Sequence, residues 1–115
     1  MMGERPMHYR KDGTPIDVME WGSLFHDKAY QSVKRTKLPG GKKLVSTVWI
    51  GIDHGLGLGG MPLIFETMVF RRPGFDEVDA CRWPTEAEAI AGHADLCRYW
   101  RQNHRQRRRA TRARR

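Results

Sequence analysis

The chain has 115 residues, which suffices for one domain with a single hydrophobic core. With 39% hydrophobic and 30% charged residues, it is too apolar for an intrinsically disordered chain. Its net charge of +8 is uneven, because residues 98–115 hold nine arginines and no acidic residue, whereas residues 1–97 hold 12 basic and 13 acidic ones. We therefore divide the chain into a single domain, residues 1–100, and an arginine-rich tail, residues 101–115, which is either a helical extension or disordered.

Targeting to a membrane or to the cell exterior is not expected from the sequence. The first ten residues lack the apolar segment that a signal peptide needs. The longest apolar stretch, residues 48–52, is too short to span a bilayer. Cys81 and Cys97 match no zinc or Cys-x-x-Cys spacing. We expect a cytoplasmic protein with reduced thiols, no metal and no membrane contact.

In chain order, the first element is a turn and the second a helix. Asp12-Gly13 favours a tight turn that folds back a short N-terminal arm. Asp17 can cap a helix, and Glu20 three residues later completes a capping box. Apolar residues at helical spacing extend this first helix to about Tyr30.

Two β-branched runs follow, separated by Pro39-Gly40-Gly41, which is typical of a turn. Residues 30–37 and 43–52 are predicted to pair as a hairpin. The second run has apolar residues on both faces, so we expect a central strand covered on both sides.

A glycine-rich loop, residues 53–62, leads to a third strand predicted over residues 63–71. A fourth strand is predicted over residues 78–83, at an edge of the sheet.

The C-terminal helix has the clearest start, because Thr85 and Glu88 form a second capping box. It is predicted to run to about Asn103. Its buried side is predicted to be a stripe of mostly small residues at i, i+3, i+4 and i+7 spacing, widened by Leu96 and Trp100. The stripe comprises Ala87, Ile90, Ala91, Ala94 and Cys97.

These elements predict an α+β fold: a small, mostly antiparallel sheet of three to four strands, with one long C-terminal helix on one face. The short N-terminal helix is expected at an edge of the sheet or on its other face.

The arginine-rich segment is the first candidate site. Guanidinium groups bind phosphate bidentately and stay charged, and Trp100 within the segment has a ring that could stack on an unpaired base. We therefore expect contact with DNA or RNA, although an acidic protein or a membrane surface would satisfy the same charges. The candidate residues are Arg98, Trp100, Arg101, Arg105, Arg107, Arg108, Arg109, Arg112, Arg114 and Arg115.

The glycine-rich loop offers a second candidate. Gly55, Gly57 and Gly60 match the spacing of a dinucleotide-binding loop, but a strand follows where that motif needs a helix, so no cofactor is expected. Leu56 and Leu58 are predicted to contact a protein partner, because exposed leucines are costly unless they meet something.

A third candidate is a pocket of polar residues on or near the strands and the C-terminal helix. It comprises Asp53, His54, Glu66, Thr67 and His93. If these side chains converge, they could provide acid–base chemistry or hold a metal, although nothing in their spacing matches a known metal motif.

The sequence also resembles a group of small uncharacterised proteins encoded by tailed bacteriophages and prophages, often of actinobacteria. The resemblance rests on residues 12–16, 20–21, 45–54, 62–70, 83–86 and 91–93. It implies expression in a bacterial host cell but no mechanism, and it does not include the tail.

Three functions follow as alternatives. The preferred one is a non-enzymatic phage accessory protein that binds a host or phage macromolecule, with its tail contacting nucleic acid non-specifically. The others are a host-protein inhibitor that uses Leu56 and Leu58, and a small metal-dependent enzyme around Asp53, His54 and Glu66.

Overall fold

The computed structural model describes residues 6–53 and 60–102. In chain order its elements are β1 His8–Tyr9, β2 Pro15–Ile16, α1 Val18–Phe25, α2 Lys28–Gln31, β3 Ser32–Lys37, β4 Lys43–Trp49, β5 Phe65–Arg71, β6 Asp76–Trp83 and α3 Glu86–Gln102. Strands β3 to β6 form one antiparallel sheet in the order β3-β4-β5-β6, and β1 pairs with β2 separately. The predicted α+β class is confirmed.

The first helix ends earlier than predicted. Asp17 caps α1 as expected, because its carboxylate accepts the backbone N–H of Glu20. The chain then leaves the helix at His26 and begins a second, one-turn helix. Asp27 caps this α2 by accepting the backbone N–H groups of Ala29 and Tyr30. This second cap is why β3 begins at Ser32 and not at Tyr30.

The sheet has one face covered by helices, here termed the helix face. Within the described residues, both apolar core clusters lie on this side. One joins Val45 and Val69 to the C-terminal half of α3, and the other joins Trp49 and Phe65 to α1 and α2. The second predicted strand is internal to the sheet, as expected, and the described helices cover one of its two sides.

The opposite side of the sheet, here termed the open face, carries the alternate residues of each strand. Ser46, Val48, Met68 and Phe70 lie there and are half-buried, whereas Leu44 and Ala80 on the same face are buried. No described helix residue belongs to a core cluster on this side.

The start of α3 was predicted correctly, but its buried side was not. Thr85 Oγ1 accepts the backbone N–H of Glu88 at 3.1 Å, which caps the helix. Of the predicted stripe only Cys97 is buried, whereas Ile90 is 47% exposed and Ala87, Ala91 and Ala94 also face outward. The side that packs on the sheet comprises Ala89, Gly92, His93, Leu96, Cys97 and Trp100.

Candidate polyanion-binding surface

The structure brings together two members of the predicted pocket, Thr67 and His93. Thr47 links them, because its Oγ1 lies 2.6 Å from Thr67 Oγ1 and 2.7 Å from His93 Nδ1. On its other side, His93 Nε2 lies 2.9 Å from Thr36 Oγ1. All four side chains sit between α3 and the sheet, and Thr47, Thr67 and His93 are at most 1% exposed.

Trp83 gives one end of this hydrogen-bond network a defined donor. The indole of Trp83 can only donate, and its Nε1–H donates to Thr67 Oγ1 at 3.0 Å. If Thr67 then donates to Thr47, and Thr47 to His93 Nδ1, the proton of a neutral imidazole lies on Nε2 and is donated to Thr36. Burial lowers the pKa of His93, and the nearby charge of Lys34 lowers it further, which agrees with a neutral ring.

The remaining members of the predicted pocket lie elsewhere. Glu66 is on the open face, where it accepts from Arg82 Nε at 3.2 Å. Asp53 follows the sheet at the end near the N-terminal arm, where its backbone N–H donates to the carbonyl of Met7. His54 lies outside the described residues, as do Leu56 and Leu58. The two residues that converge are sealed from solvent, so they act as a structural hydrogen-bond chain and cannot reach a substrate.

Within residues 6–53 and 60–102, no group of three or more histidine, cysteine, aspartate or glutamate side chains is placed to hold a metal ion. No helix in that part of the chain is long and apolar enough to cross a membrane.

A concentration of positive charge lies at one end of the sheet. The strand register brings the β3–β4 and β5–β6 turns to the same end: Lys43 pairs with Arg71, and the backbone N–H of Arg72 donates to the carbonyl of Lys42. The last turn of α3 ends there too, because Lys43 Nζ lies 5.5 Å from the ring centre of Trp100. The basic residues of this end, together with two further along β3, are here termed the cationic end: Lys34, Arg35, Lys37, Lys42, Lys43, Arg71, Arg72 and Arg101.

These cations are mostly available to a ligand. Lys34, Arg35, Lys37, Lys42, Arg71 and Arg101 are exposed, and none of the six forms a salt bridge to another described residue. The nearest acidic groups are on β6, where Asp76 is the register partner of Arg71. Lys34 and Arg101 both act electrostatically on Cys97, which places both cations near the same buried thiol.

The cationic end is continuous with the tail through the covalent chain. Residue 103 follows the last residue of α3, so the seven arginines of residues 103–115 are attached at this end of the sheet. Those arginines, from Arg105 to Arg115, lie outside the described residues. Arg98 belongs to α3, where its guanidinium pairs with Asp95 at 2.5 Å on the helix surface.

Trp100 does not belong to the nucleic-acid surface that the sequence predicted. Its side chain is only 2% exposed, and its Nε1–H donates to Asp79 Oδ2 at 2.8 Å. The ring packs with Leu38 and Leu96 in the core and is unavailable for stacking on a base. Its position in a basic segment suggested that it stacks on a base, and its burial in the core excludes that role.

Sequence reasoning missed the cations of the domain itself. Averaged over residues 1–97 the charges nearly cancel, but residues 32–43 hold five basic residues and no acidic one. This basic run lies within the predicted hairpin. The two observations together could have predicted a cationic surface on the domain.

A groove of about 770 Å³ runs along the β6 edge of the sheet. Its lining comprises Leu63, Glu66, Met68, Glu77, Ala80, Cys81, Arg82, Trp83 and Asp95. The groove therefore combines apolar side chains with three carboxylates and one guanidinium, and part of it opens on the open face.

No protein-family model, curated protein or solved structure matches this chain.

Proposed function

We propose that the protein binds nucleic acid without catalysing a reaction, through the cationic end of the sheet and the arginines that follow it. The observation that carries this proposal is the continuity of the two: eight cationic residues lie on the strands, turns and helix end next to Gln102, and seven further arginines follow Gln102 in the sequence. The described titratable residues of the predicted pocket do not converge on an exposed site, which favours binding over catalysis.

The physical basis is the release of counterions from the phosphate backbone. Each phosphate neutralised by lysine or arginine releases condensed cations, so affinity falls with salt at a logarithmic slope of about −0.9 per phosphate on duplex DNA. Arginine adds geometry, because its planar guanidinium makes paired hydrogen bonds to phosphate. None of this reads a base sequence, so the binding is non-specific.

An accessory role in a bacteriophage-infected cell is the setting that the resemblance to phage proteins supports. In that setting the ligand is a host or phage nucleic acid, DNA or RNA.

The experiment compares the full chain with two tail variants in a salt-titrated mobility shift on DNA and RNA. In one variant the seven arginines of residues 103–115 become glutamine, and in the other they become lysine. We expect the glutamine variant to bind weakly with a shallow salt slope, and the lysine variant to keep most of the slope because it keeps the charge. Equal binding by all three chains would show that the tail does not contact nucleic acid.

A further inference from the structure

Phe75 lies at the edge of the open face, and its aromatic ring is not buried in the core. Its ring is 52% exposed in the turn between β5 and β6. Its backbone has φ +61°, in the left-handed region that bulky residues rarely adopt and glycine adopts freely. Phenylalanine is therefore unfavourable at this position, because its backbone conformation is strained and its ring is exposed to water. This indicates that the ring has a role in binding.

Two neighbours hold this ring in place. The ring of Phe70, on the open face, meets it edge-on with centres 6.1 Å apart and planes at 72°. The guanidinium carbon of Arg72 lies 5.3 Å from its centre, within range of a cation–π contact. Phe70, Arg72 and Phe75 thus form a fixed platform with a positive charge beside an accessible ring, here termed the aromatic platform.

Charge varies across the open face from one edge of the sheet to the other. Arg35 and Lys37 lie on this face of β3, in register with Ser46 and Leu44 of β4. Toward β6 the face carries both signs of charge, with Glu77 in register with Phe70, and Glu66 paired with Arg82. A polyanion is therefore attracted more strongly to the β3 side than to the β6 side.

We propose that the open face binds single-stranded nucleic acid, with an unpaired base stacked on Phe75 and the phosphates on the cations of β3 and the adjoining turns. This inference rests on the proposed function and names its ligand class. The groove beside β5 and β6 takes the exposed bases, since its carboxylates repel phosphate but can accept hydrogen bonds from the amino groups of bases.

The platform distinguishes single strands from duplexes for a simple reason. In a duplex each base is already stacked between its neighbours, whereas a single strand leaves ring faces free to stack on an aromatic side chain. An apolar protein partner would also cover Phe75 and Phe70, but it would gain nothing from Arg35, Lys37 and Lys42 around them.

The experiment uses the full chain and three probes of one length at fixed salt: oligothymidylate, oligouridylate and a mixed-sequence DNA duplex. Phe75→Leu removes the stacking surface but keeps an apolar side chain at the same backbone. We expect it to weaken binding of the single strands about tenfold and to change duplex binding less than about twofold. The thymidylate and uridylate probes show whether the natural single strand is DNA or RNA.

Two matched variants complete the design. Phe75→Trp should keep single-strand affinity, and its added indole should show quenched fluorescence when the oligonucleotide binds. Ile90→Leu changes a similarly exposed apolar residue on α3 and should have no effect. The melting temperature of each variant confirms that it is folded.

The outcomes separate this inference from the proposed function. If the full chain binds neither single strand nor duplex, the proposed function itself is wrong. If it binds both, but Phe75→Leu weakens them equally or not at all, the tail and cationic end still bind and only the platform is overturned. A concentration-dependent dimer that Phe75→Leu abolishes, with nucleic-acid affinity unchanged, would assign the face to a second copy of the chain and also overturn it.

Discussion

His93 Nδ1 lies 2.7 Å from Thr47 Oγ1, in an interface between α3 and the sheet that is otherwise largely apolar. The imidazole is 1% exposed, so a positive charge on it would have no water and no carboxylate partner among the residues that bond it. The hydroxyls of Thr36 and Thr47 satisfy both ring nitrogens of the neutral form. This interface therefore tolerates a histidine only while the ring is unprotonated.

The first prediction concerns stability in mild acid. Because burial and Lys34 lower the pKa of His93 in the folded protein, the unfolded chain binds a proton first as pH falls. Stability from this residue is then complete above about pH 6.5 and declines below it, by at most about 1.4 kcal/mol per pH unit. Urea unfolding between pH 5 and 8 measures the effect.

The matched variant for this prediction is His93→Gln, whose amide can keep hydrogen bonds but does not titrate. It should have a flatter stability profile below about pH 6.5 than the unchanged protein, although its stability at neutral pH is lower. Parallel profiles for the two proteins would mean that His93 is not the group responsible.

Features of the fold that depend on residues close together in the sequence could be predicted, and features that depend on residues far apart in the sequence could not. The caps at Asp17 and Thr85 are local, since each involves residues three apart, and both were predicted correctly. The buried side of α3 was predicted wrongly, because residue types alone favoured Ile90 over His93. The hydroxyls that make burial of His93 favourable lie on β3 and β4, 57 and 46 residues earlier in the chain.

The candidate site was likewise predictable only where neighbouring residues in the sequence define it. The arginine-rich segment is evident from composition, and so is the cationic run of residues 32–43 once the hairpin is considered. By contrast, nothing local shows that Glu66 and Thr67 face opposite sides of β5 with different partners, or that Trp100 is buried by Leu38.

The second prediction tests the close packing of α3 against β6. A Cβ atom at Gly92 would overlap the indole ring of Trp83, which is held by its hydrogen bond to Thr67. We expect Gly92→Ala to lower the free energy of unfolding by about 1–3 kcal/mol, because this overlap outweighs the better helix propensity of alanine.

The control for Gly92 is the helical glycine of α1, Gly22, which has open space where its Cβ would be. Gly22→Ala should stabilise the protein by up to about 1 kcal/mol. Thermal melts of both variants give the comparison, and a stabilising Gly92→Ala would refute the packing described here.

The third prediction concerns the buried pair Asp79 and Trp100. Asp79 Oδ2 accepts the indole N–H at 2.8 Å, and Asp79 Oδ1 is buried with no hydrogen-bond partner among the described residues. Asp79→Ala leaves the indole N–H without its acceptor, so it should cost about 1–3 kcal/mol. Trp100→Phe removes the donor and should also destabilise the protein.

A double-mutant cycle isolates the interaction of this pair. If the hydrogen bond matters, Asp79→Ala with Trp100→Phe should be less destabilising than the sum of the single changes by about 0.5–3 kcal/mol, measured by urea unfolding. Strict additivity would show that the two side chains contribute independently.

The last prediction tests the cationic end apart from the tail. Lys37 and Lys42 are exposed and form no salt bridge within residues 6–53 and 60–102, so a Lys37→Gln, Lys42→Gln double variant should fold normally. If both bind phosphates, the logarithmic salt slope of binding to duplex DNA should become shallower by about 0.9 for each phosphate that is no longer neutralised. Lys28→Gln is the matched control, because Lys28 is an exposed lysine on α2, outside the cationic end. A slope unchanged in the double variant, or reduced equally in the control, would mean that β3 and its turn contribute only diffuse charge and that the arginines after residue 102 bind alone.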